Sequence, residues 1–396
     1  MERLLLIAGI VLLGYVVLPL SGGVRVRRQW RRFREAIYKS MEYPIIDYPT
    51  VRTEAPQGES FRFFGQIEAV QGDEQLWLTD GALSVQVDLK GVEVYTLPAL
   101  NAYEAEDRVE DNELAFADAS PTHLPANRIT SFPQGTRLMV SGELVMVNSR
   151  PVFRSRGRGD GDLLVLIYDG APCTILRRSI WSGRQRNEYW NQLTPASLTL
   201  ASFSLFILTY VYLRSPGFLF YAHIALTMSL APLAPLLPPG LLLFSLYRRI
   251  WRTGRYLRAE RDLLSLPARR FPQTVSLRNG SRAFLPDGSV YRIRTFRGSD
   301  AALEGCPGGK IRTSRAIVGG TPDTAVFYAF GCSTETGNPP SDPFAERVLI
   351  PGEPRLLSLR CSRGARYREL LGAGIFVAAL LINLLMLFML LWFVLV

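Results

Sequence analysis

The residues with the most suggestive spacing for chemistry form a glycine-rich segment, Gly-Cys-Pro-Gly-Gly-Lys, at positions 305–310. A phosphate-binding loop has the pattern GxxxxGK followed by serine or threonine, because the glycines shape the loop and the hydroxyl binds magnesium. The chain has Glu304 and Ile311 where the first glycine and the hydroxyl residue are needed. We therefore predict a glycine-rich loop without nucleotide chemistry.

Histidine is poorly placed for acid–base catalysis. His123 lies in a proline-rich stretch, His223 lies in an apolar run, and no GxSxG motif supplies a nucleophile. An intramembrane histidine can relay protons, but a hydrogen bond between helices, or a place near the membrane interface, is the favoured role for His223. We predict no catalytic residue and no cofactor.

The cysteines do not form a metal-binding pattern. They have no CxxC spacing and occupy positions Cys173, Cys306, Cys332 and Cys361. A structural zinc needs four closely spaced nitrogen or sulfur ligands, so we predict no metal site. A disulfide between Cys306 and Cys332 would require an oxidising compartment.

Arginine dominates the charge, with 42 arginines against three lysines and a formal net charge of +10. Guanidinium groups pair bidentately with phosphate, which points to anionic lipid or nucleic acid; an arginine-rich genome is the alternative.

The RGG-like segment 154–159 resembles nucleic-acid-binding sequences, but such binding also needs stacking aromatics. Only Phe64 and Trp77 are candidates, so a basic hairpin end or a basic linker is favoured. The acidic stretch 101–120 is predicted to be a solvated loop.

Four long apolar runs, at residues 4–20, 196–213, 218–247 and 370–396, predict four transmembrane helices. The third run is too long for one helix. Proline removes a backbone donor and clashes with the preceding turn, so we predict that this helix ends near Ala231 and that residues 241–251 form a separate half-helix. The predicted break lies at Pro232, Pro235, Pro238 and Pro239.

Basic residues beside these runs predict the orientation. The flanks on one side hold 24 arginines or lysines, whereas the other flanks hold only Arg3 and Arg214. Because positive flanks stay in the cytoplasm, we predict that both chain termini lie outside and that both large domains are cytoplasmic, in a bacterial inner membrane. This placement makes disulfides unexpected.

Residues 24–40 predict an amphipathic helix on the membrane surface, with Val26, Trp30, Phe33 and Ile37 on one face and arginines around them. The alternative is that these charges only set the orientation. The residues predicted to contact anionic lipid head groups are Arg27, Arg28, Trp30, Arg31, Arg32, Trp181, Arg248, Arg249 and Trp251.

Alternating hydrophobic and polar residues predict two β-rich domains. In the first, Phe61 and Phe63 alternate with Arg62, and Asp80-Gly81 marks a hairpin turn. Several short strands with glycine-rich corners predict a small barrel or sandwich, with an OB-like barrel as one candidate. Both domains end on a similar strand, turn and basic segment, at residues 165–178 and 348–360, so duplication is one interpretation.

Residues 127–129 and 133–144, Asn-Arg-Ile and Pro-Gln-Gly-Thr-Arg-Leu-Met-Val-Ser-Gly-Glu-Leu, resemble the later strands of GIDE-type domains. These domains are β-rich modules between two membrane spans in membrane ubiquitin ligases and in bacterial relatives. The resemblance covers residues 60–190 at most and implies architecture only. In the ligases activity comes from a zinc-binding RING after the last span, and this chain has no such cluster.

These patterns predict an α+β membrane protein with four transmembrane helices and two β-rich domains. The predicted segments are an anchor at 1–23, a basic helix at 24–42, an OB-like domain at 43–175, a basic segment at 176–194, a transmembrane hairpin at 195–251, a basic segment at 252–270, a second β-rich domain at 271–369 and a terminal helix at 370–396. The leading hypothesis for function is a non-enzymatic scaffold with protein partners in the membrane. The alternatives are a transporter or channel component that uses the broken third span, and a membrane-tethered nucleic-acid-binding module, which is less favoured.

Overall fold

The structure, a computed structural model, describes residues 1–53, 58–72, 74–92, 94–99, 119–148, 150–155, 163–184, 186–285, 288–312, 325–331 and 342–395. Most of the acidic stretch, most of the RGG-like segment and Cys332 lie outside the described residues. The chain forms two compact units. The helical unit comprises Met1–Arg31, Gln185–Arg255 and Gly364–Val396, and the β unit comprises Arg32–Arg184 and Tyr256–Arg363.

The helices are α1 (Glu2–Ser40), α2 (Tyr48–Thr53), α3 (Ile175–Trp181), α4 (Leu193–Leu213), α5 (Leu219–Ser229), α6 (Gly240–Ser265), α7 (Ser299–Gly305) and α8 (Pro354–Leu395). The strands are β1 (Glu59–Gln71), β2 (Gln75–Thr79), β3 (Ser84–Asp88), β4 (Val94–Thr96), β5 (Thr122–Leu124), β6 (Arg137–Val147), β7 (Arg150–Arg154), β8 (Leu164–Ile167), β9 (Arg282–Phe284), β10 (Val290–Arg297), β11 (Lys310–Ile311), β12 (Val326–Phe330) and β13 (Val348–Pro351).

Three helices in the described chain, α1, α4 and α8, are long and apolar enough to cross a membrane. The prediction of four transmembrane helices is therefore wrong in number. Helix α5, which carries the third apolar run, has only 11 residues, about 16 Å at 1.5 Å per residue. A hydrocarbon core of about 30 Å needs roughly 20 residues.

The prolines explain why α5 is short. Helix α5 ends at Ser229, a 3₁₀ turn covers Ala231–Leu236, and α6 begins at Gly240. All four prolines of the predicted break, Pro232, Pro235, Pro238 and Pro239, lie in this interval. Helix α6 then continues to Ser265 instead of ending after a half-helix at 241–251.

A polar side chain of α8 adds hydrogen bonds to the carbonyls of the break. The carbonyl oxygens of Ala234 and Leu237 accept the backbone N–H groups of Leu237 and Leu241 at 3.1 and 3.2 Å. Asn383 is 0% exposed and donates from Nδ2 to the carbonyl oxygen of Ala234 at 2.5 Å and to the carbonyl oxygen of Leu237 at 3.1 Å. Gly240 provides the space, since a β-carbon there would clash with the Asn383 amide. The only strongly polar residue of the last apolar run thus stabilises the break.

The basic segment after the first apolar run is not a separate interfacial helix. Helix α1 runs from Glu2 to Ser40, with one π turn over Leu12–Val17. Phe33 and Ile37, two members of the predicted lipid-facing stripe, are buried in the protein, and the Phe33 ring lies 4.5 Å from the Tyr95 ring. The β unit thus covers the part of the stripe that was expected to meet lipid.

Strands β1, β2, β3, β7 and β6 form a closed barrel in that order, because β6 also pairs with β1. Within this ring the β3–β7 pair is parallel and the other pairs, including the closing pair β1–β6, are antiparallel. Strands β8, β4 and β5 extend the sheet from β6. The predicted hairpin is confirmed, since the Asp80 carboxylate accepts from the backbone N–H groups of Ala82 and Leu83 at 2.8 Å.

The second β-rich domain is an open sheet with the order β11-β13-β12-β10-β9. Helix α7 packs on one face around Ala302, Cys306 and Phe327. The two domains therefore differ in topology. Their common feature is the end, where β8 and β13 each pair in parallel with an earlier strand and lead into a basic helix.

One cysteine differs from expectation. Cys306 is disulfide-bonded, whereas Cys173 and Cys361 form no disulfide. The orientation predicted from the arginines made a disulfide unexpected, because the cytoplasm is reducing. Cys306 is buried, at 1% exposure, in the cluster around α7.

Candidate functional site: an arginine-lined cleft in the β unit

A buried ion pair joins the barrel to the second β-rich domain. Arg62 of β1 is 2% exposed and donates from Nη1 and Nη2 to the two carboxylate oxygens of Asp342 at 3.0 and 2.8 Å. The alternating pattern of β1 placed Arg62 on a polar, exposed face. That expectation is wrong, because Phe344 covers this face, with its ring 4.8 Å from the guanidinium.

A second arginine shares the same carboxylate. Arg270 donates to Asp342 Oδ2 at 3.2 Å, and the backbone N–H of Phe344 donates to Oδ1 at 2.8 Å. Burial alone would raise the pKa of Asp342, but the hydrogen bond and charge of Arg62 and the charge of Arg270 hold the pKa below its ordinary value. The pair is supported further by Arg62 Nε, which donates to the carbonyl oxygen of Tyr43 at 2.8 Å.

Beside this cluster the β unit has an open cleft of about 670 Å³. It is formed by the end of α1, the end of α6 with the turn Pro267–Arg270, strand β9 and the start of α8. The arginines that line it are Arg261, Arg269, Arg270 and Arg355, and the acidic residues are Glu42 and Asp262. The cleft is therefore positively charged.

The arginines of the cleft are held in different ways. Arg261 pairs with Asp262 at 2.7 Å, and Arg355 donates to the carbonyl oxygens of Gln273 and Val275 at 3.0 and 3.1 Å. Arg269 is exposed and lies 3.9 Å above the ring of Tyr38, and among the described residues it has no hydrogen-bond acceptor. A guanidinium fixed by an aromatic face with free donors is suited to carboxylate or phosphate.

The chemistry available here is anion binding. Burial raises the pKa of Tyr291, next to Arg270, to about 12, so its hydroxyl stays protonated and neutral near neutral pH. The described residues contain no group of three or more histidine, cysteine, aspartate or glutamate side chains that could hold a metal ion. We find in the described cleft no pairing of a nucleophile with a base.

No protein-family model, curated protein or solved structure matches the chain. The site therefore has to be interpreted from its own geometry.

The structure separates the predicted membrane-contact residues into two groups. The exposed arginines are Arg27, Arg28, Arg31, Arg32, Arg248 and Arg249, and the half-buried tryptophans are Trp30 and Trp251. Trp181 differs, because it is 4% exposed and its ring lies 5.7 Å from the ring of Tyr256 inside the β unit. Its burial removes Trp181 from the surface that could meet lipid.

Replacing Arg28, Arg31 and Arg32 together by glutamine should weaken the association with anionic lipid. Each exposed basic group near such a surface contributes about 1 kcal/mol, so the combined loss should be about 3 kcal/mol. The measurement is the ratio of anionic to neutral lipid that co-purifies with the protein from mixed bilayers. Arg278, Arg282 and Arg297, exposed in the β unit, provide a triple glutamine control of equal charge. Equal lipid retention in both variants would argue against lipid contact.

The other residues singled out in the sequence have structural contacts. His223 Nδ1 lies 2.7 Å from the carbonyl oxygen of Leu219 in its own helix, and its ring lies 5.1 Å from the ring of Trp392. His123 is exposed on β5. Lys310 of the glycine-rich loop pairs with Glu346 at 2.6 Å. The loop follows a helix and precedes a strand, which is the reverse of a phosphate-binding loop.

Sequence reasoning missed the main members of the cluster and the cleft. Arg269, Arg270 and Arg355 were counted only as charges that set orientation. Asp342 follows a glycine- and proline-rich stretch where no periodic pattern gives its environment. Only the pairing of residues 280 positions apart reveals the cluster, and no local signal in one sequence carries that information.

Proposed function

We propose that the protein is a membrane-anchored scaffold that presents its two β-rich domains as one partner-binding body. The observation that carries this proposal is the buried Arg62–Asp342–Arg270 cluster, which fixes the barrel to the second sheet. Helices α1, α4 and α8 have the length and composition of anchors. Both termini would lie on the same side only if the short α5, the turn after it and the first part of α6 together cross the membrane as a broken segment.

The strand order of the barrel supports an OB-like assignment within this proposal. An OB-fold is a five-stranded Greek-key barrel, and here β1, β2, β3, β7 and β6 close a ring of five strands. The resemblance of residues 133–144 to GIDE-type domains falls mainly on β6. Both assignments favour a binding module over an enzyme.

Crosslinking in native membranes, followed by mass spectrometry, tests the scaffold. Specific protein partners should crosslink to the β unit, and Asp342→Asn, which loosens the cluster, should reduce their yield. Purified protein in proteoliposomes should conduct no ions. Ion flux in the absence of crosslinked partners would favour the transporter hypothesis over the scaffold hypothesis.

A specific observation also favours nucleic-acid binding as a second candidate. Trp77 lies on β2, part of the face that OB-folds use for oligonucleotides, and Arg150 lies 5.6 Å from its ring. Phe64, the other aromatic candidate, instead packs edge-to-face on Phe344 at 5.4 Å. A salt-dependent titration of the full-length protein with single-stranded DNA, compared with Trp77→Ala, tests this candidate.

The proposed orientation places the β unit in the cytoplasm, following the arginine asymmetry. The disulfide of Cys306 favours the opposite side, because disulfides persist in oxidising compartments. We retain the cytoplasmic side because the flanks on that side hold 24 basic residues and the opposite flanks hold only two, whereas the opposing argument depends on one disulfide.

Cysteine labelling with a membrane-impermeant maleimide distinguishes the two orientations. Cys173 is half-buried and free, whereas Cys361 is fully buried. With a cytoplasmic β unit, Cys173 should react in inverted vesicles and stay unmodified in intact cells; Cys173→Ser is the control. Labelling of Cys173 in intact cells would reverse the orientation.

A further inference from the structure

The second sheet has an open edge at β9. This strand is last in the strand order and, among the described residues, pairs only with β10, through Arg282 opposite Arg292 and Phe284 opposite Val290. Leu285 N–H donates to the Ser289 carbonyl at 2.8 Å. Since backbone groups alternate in direction along an antiparallel strand, the N–H and C=O groups of Arg282 and Phe284 point away from β10. Such an edge is a template for another strand.

The side chains at this edge are unusual for a solvent-facing surface. Phe284 is 80% exposed. Arg282, Arg292 and Arg294 share its face of the sheet, because they lie at positions of the same parity in the β9–β10 register. A large exposed aromatic side chain surrounded by positive charge indicates a partner that is apolar in part and acidic in part.

Phe284 also lines the arginine cleft, so the edge and the cleft are one continuous surface. In the cleft, Arg269 is held by Tyr38 and has no acceptor among the described residues. A carboxylate placed there would accept two parallel N–H bonds from its guanidinium. The volume of about 670 Å³ is within the range of ligand pockets, roughly 300–1,000 Å³.

We propose that the β9 edge and the arginine-lined cleft bind an extended acidic segment of a partner protein, which pairs with β9 as an added strand. This proposal rests on the scaffold function and names the chemistry of its partner. A peptide fits better than nucleic acid or lipid, because only a peptide backbone supplies donors and acceptors at the spacing of a strand. Nucleic acid would instead need several stacking aromatics, and Phe284 is the one strongly exposed aromatic of the described β9–β10 hairpin.

Fluorescence anisotropy with full-length protein in neutral-lipid nanodiscs tests the proposal. The probe is a labelled nine-residue peptide that alternates glutamate with valine. The comparison probes are the same peptide with lysine in place of glutamate, a 20-nucleotide oligo(dT) and vesicles of phosphatidylglycerol. Only the glutamate peptide should bind at this surface.

Single substitutions test the contributions of the cleft arginine, the exposed aromatic side chain and the strand edge to peptide binding one at a time. Arg269→Gln and Phe284→Ser should each weaken binding of the glutamate peptide by about tenfold, equal to about 1.4 kcal/mol, and neither should shift the melting temperature. Arg282→Pro removes an outward N–H from an edge strand, where proline is tolerated, and should weaken binding more than Arg282→Gln. Arg297→Gln, at the other end of β10, is the charge-matched control and should leave binding unchanged.

The proposal is overturned if the glutamate peptide does not bind, if the lysine peptide or oligo(dT) binds equally well, or if Arg297→Gln matches Arg269→Gln. Crosslinking in membranes distinguishes refutation of this peptide-binding surface from refutation of the scaffold function. If partners still crosslink to Phe284→Ser protein at the wild-type level, this surface is refuted and the scaffold remains. If wild-type protein crosslinks to no partner, the scaffold itself is refuted.

Discussion

Replacing Asp342 by asparagine should destabilise the β unit by about 3–5 kcal/mol, the cost of breaking a buried ion pair by removing one partner. The variant leaves two buried guanidiniums, those of Arg62 and Arg270, without a negative charge. Since folded domains are stable by only about 5–15 kcal/mol, the effect should be evident as a large fall in melting temperature. Tryptophan fluorescence of the detergent-solubilised protein during heating is the measurement.

A surface ion pair provides the control for this prediction. Arg154 and Asp88 lie 3.3 Å apart with the arginine largely exposed. Arg154→Gln should change stability by less than about 1 kcal/mol, because water already screens this pair. If Asp342→Asn has no larger effect than Arg154→Gln, the cluster does not hold the two domains together.

The pH dependence of the wild-type protein follows from the same carboxylate. The pKa of Asp342 in the folded protein lies below its ordinary value of 3.8. Its contribution to stability is therefore fully present above that ordinary value and decreases as the pH falls through the folded-state pKa. Asp342→Asn protein should lack this part of the acid sensitivity, so the difference in melting temperature between the two proteins should narrow below about pH 4.

Replacing Asn383 by leucine should strongly destabilise the helical unit. Asn383 Nδ2 donates to the carbonyl oxygens of Ala234 and Leu237 at 2.5 and 3.1 Å. Both oxygens also accept a backbone N–H, from Leu237 at 3.1 Å and from Leu241 at 3.2 Å, so leucine removes two additional hydrogen bonds without leaving either oxygen unsatisfied. Each lost hydrogen bond contributes about 0.5–1.5 kcal/mol, and the branched leucine side chain would also press on Gly240, where overpacking costs about 1–3 kcal/mol. Unfolding in increasing mole fractions of SDS is the measurement.

Leu385, two residues away on the outer face of α8, is the matched control. Leu385→Ala shortens an exposed side chain without touching the break and should change the SDS midpoint little. Gly240→Ala should resemble Asn383→Leu, since a β-carbon at this position would clash with the Asn383 amide. If the three variants unfold at the same SDS concentration as wild type, Asn383 does not stabilise the break.

Local patterns predicted those parts of the fold that depend on neighbours in sequence. Alternation in β3 and the Asp80-Gly81 turn predicted the β2–β3 hairpin, which is confirmed. The same alternation rule failed at Arg62, because a residue 280 positions away covers the face that the rule leaves in water. A pattern of polarity identifies a face but not what packs on it.

The apolar runs illustrate a second limit. Hydropathy measures composition, so residues 218–247 counted as a span although their prolines leave a helix of only 11 residues. The prolines predicted a break, but nothing local indicated that Asn383 would donate hydrogen bonds to its carbonyls. The cleft was unpredictable for a related reason, because its arginines come from α6, the turn after it and α8, and each taken alone is typical of a membrane flank.

The Arg62–Asp342 pair also has a consequence for biosynthesis. Its partners are 280 residues apart, so at a translation rate of about 5–20 residues per second the ribosome needs about 15 s to a minute between them. During that interval the strands of the barrel are complete but Arg62 has no carboxylate partner. The newly made barrel thus carries an unpaired Arg62 guanidinium until Asp342 and Phe344 have been synthesised, so the two β-rich domains can join only late in synthesis.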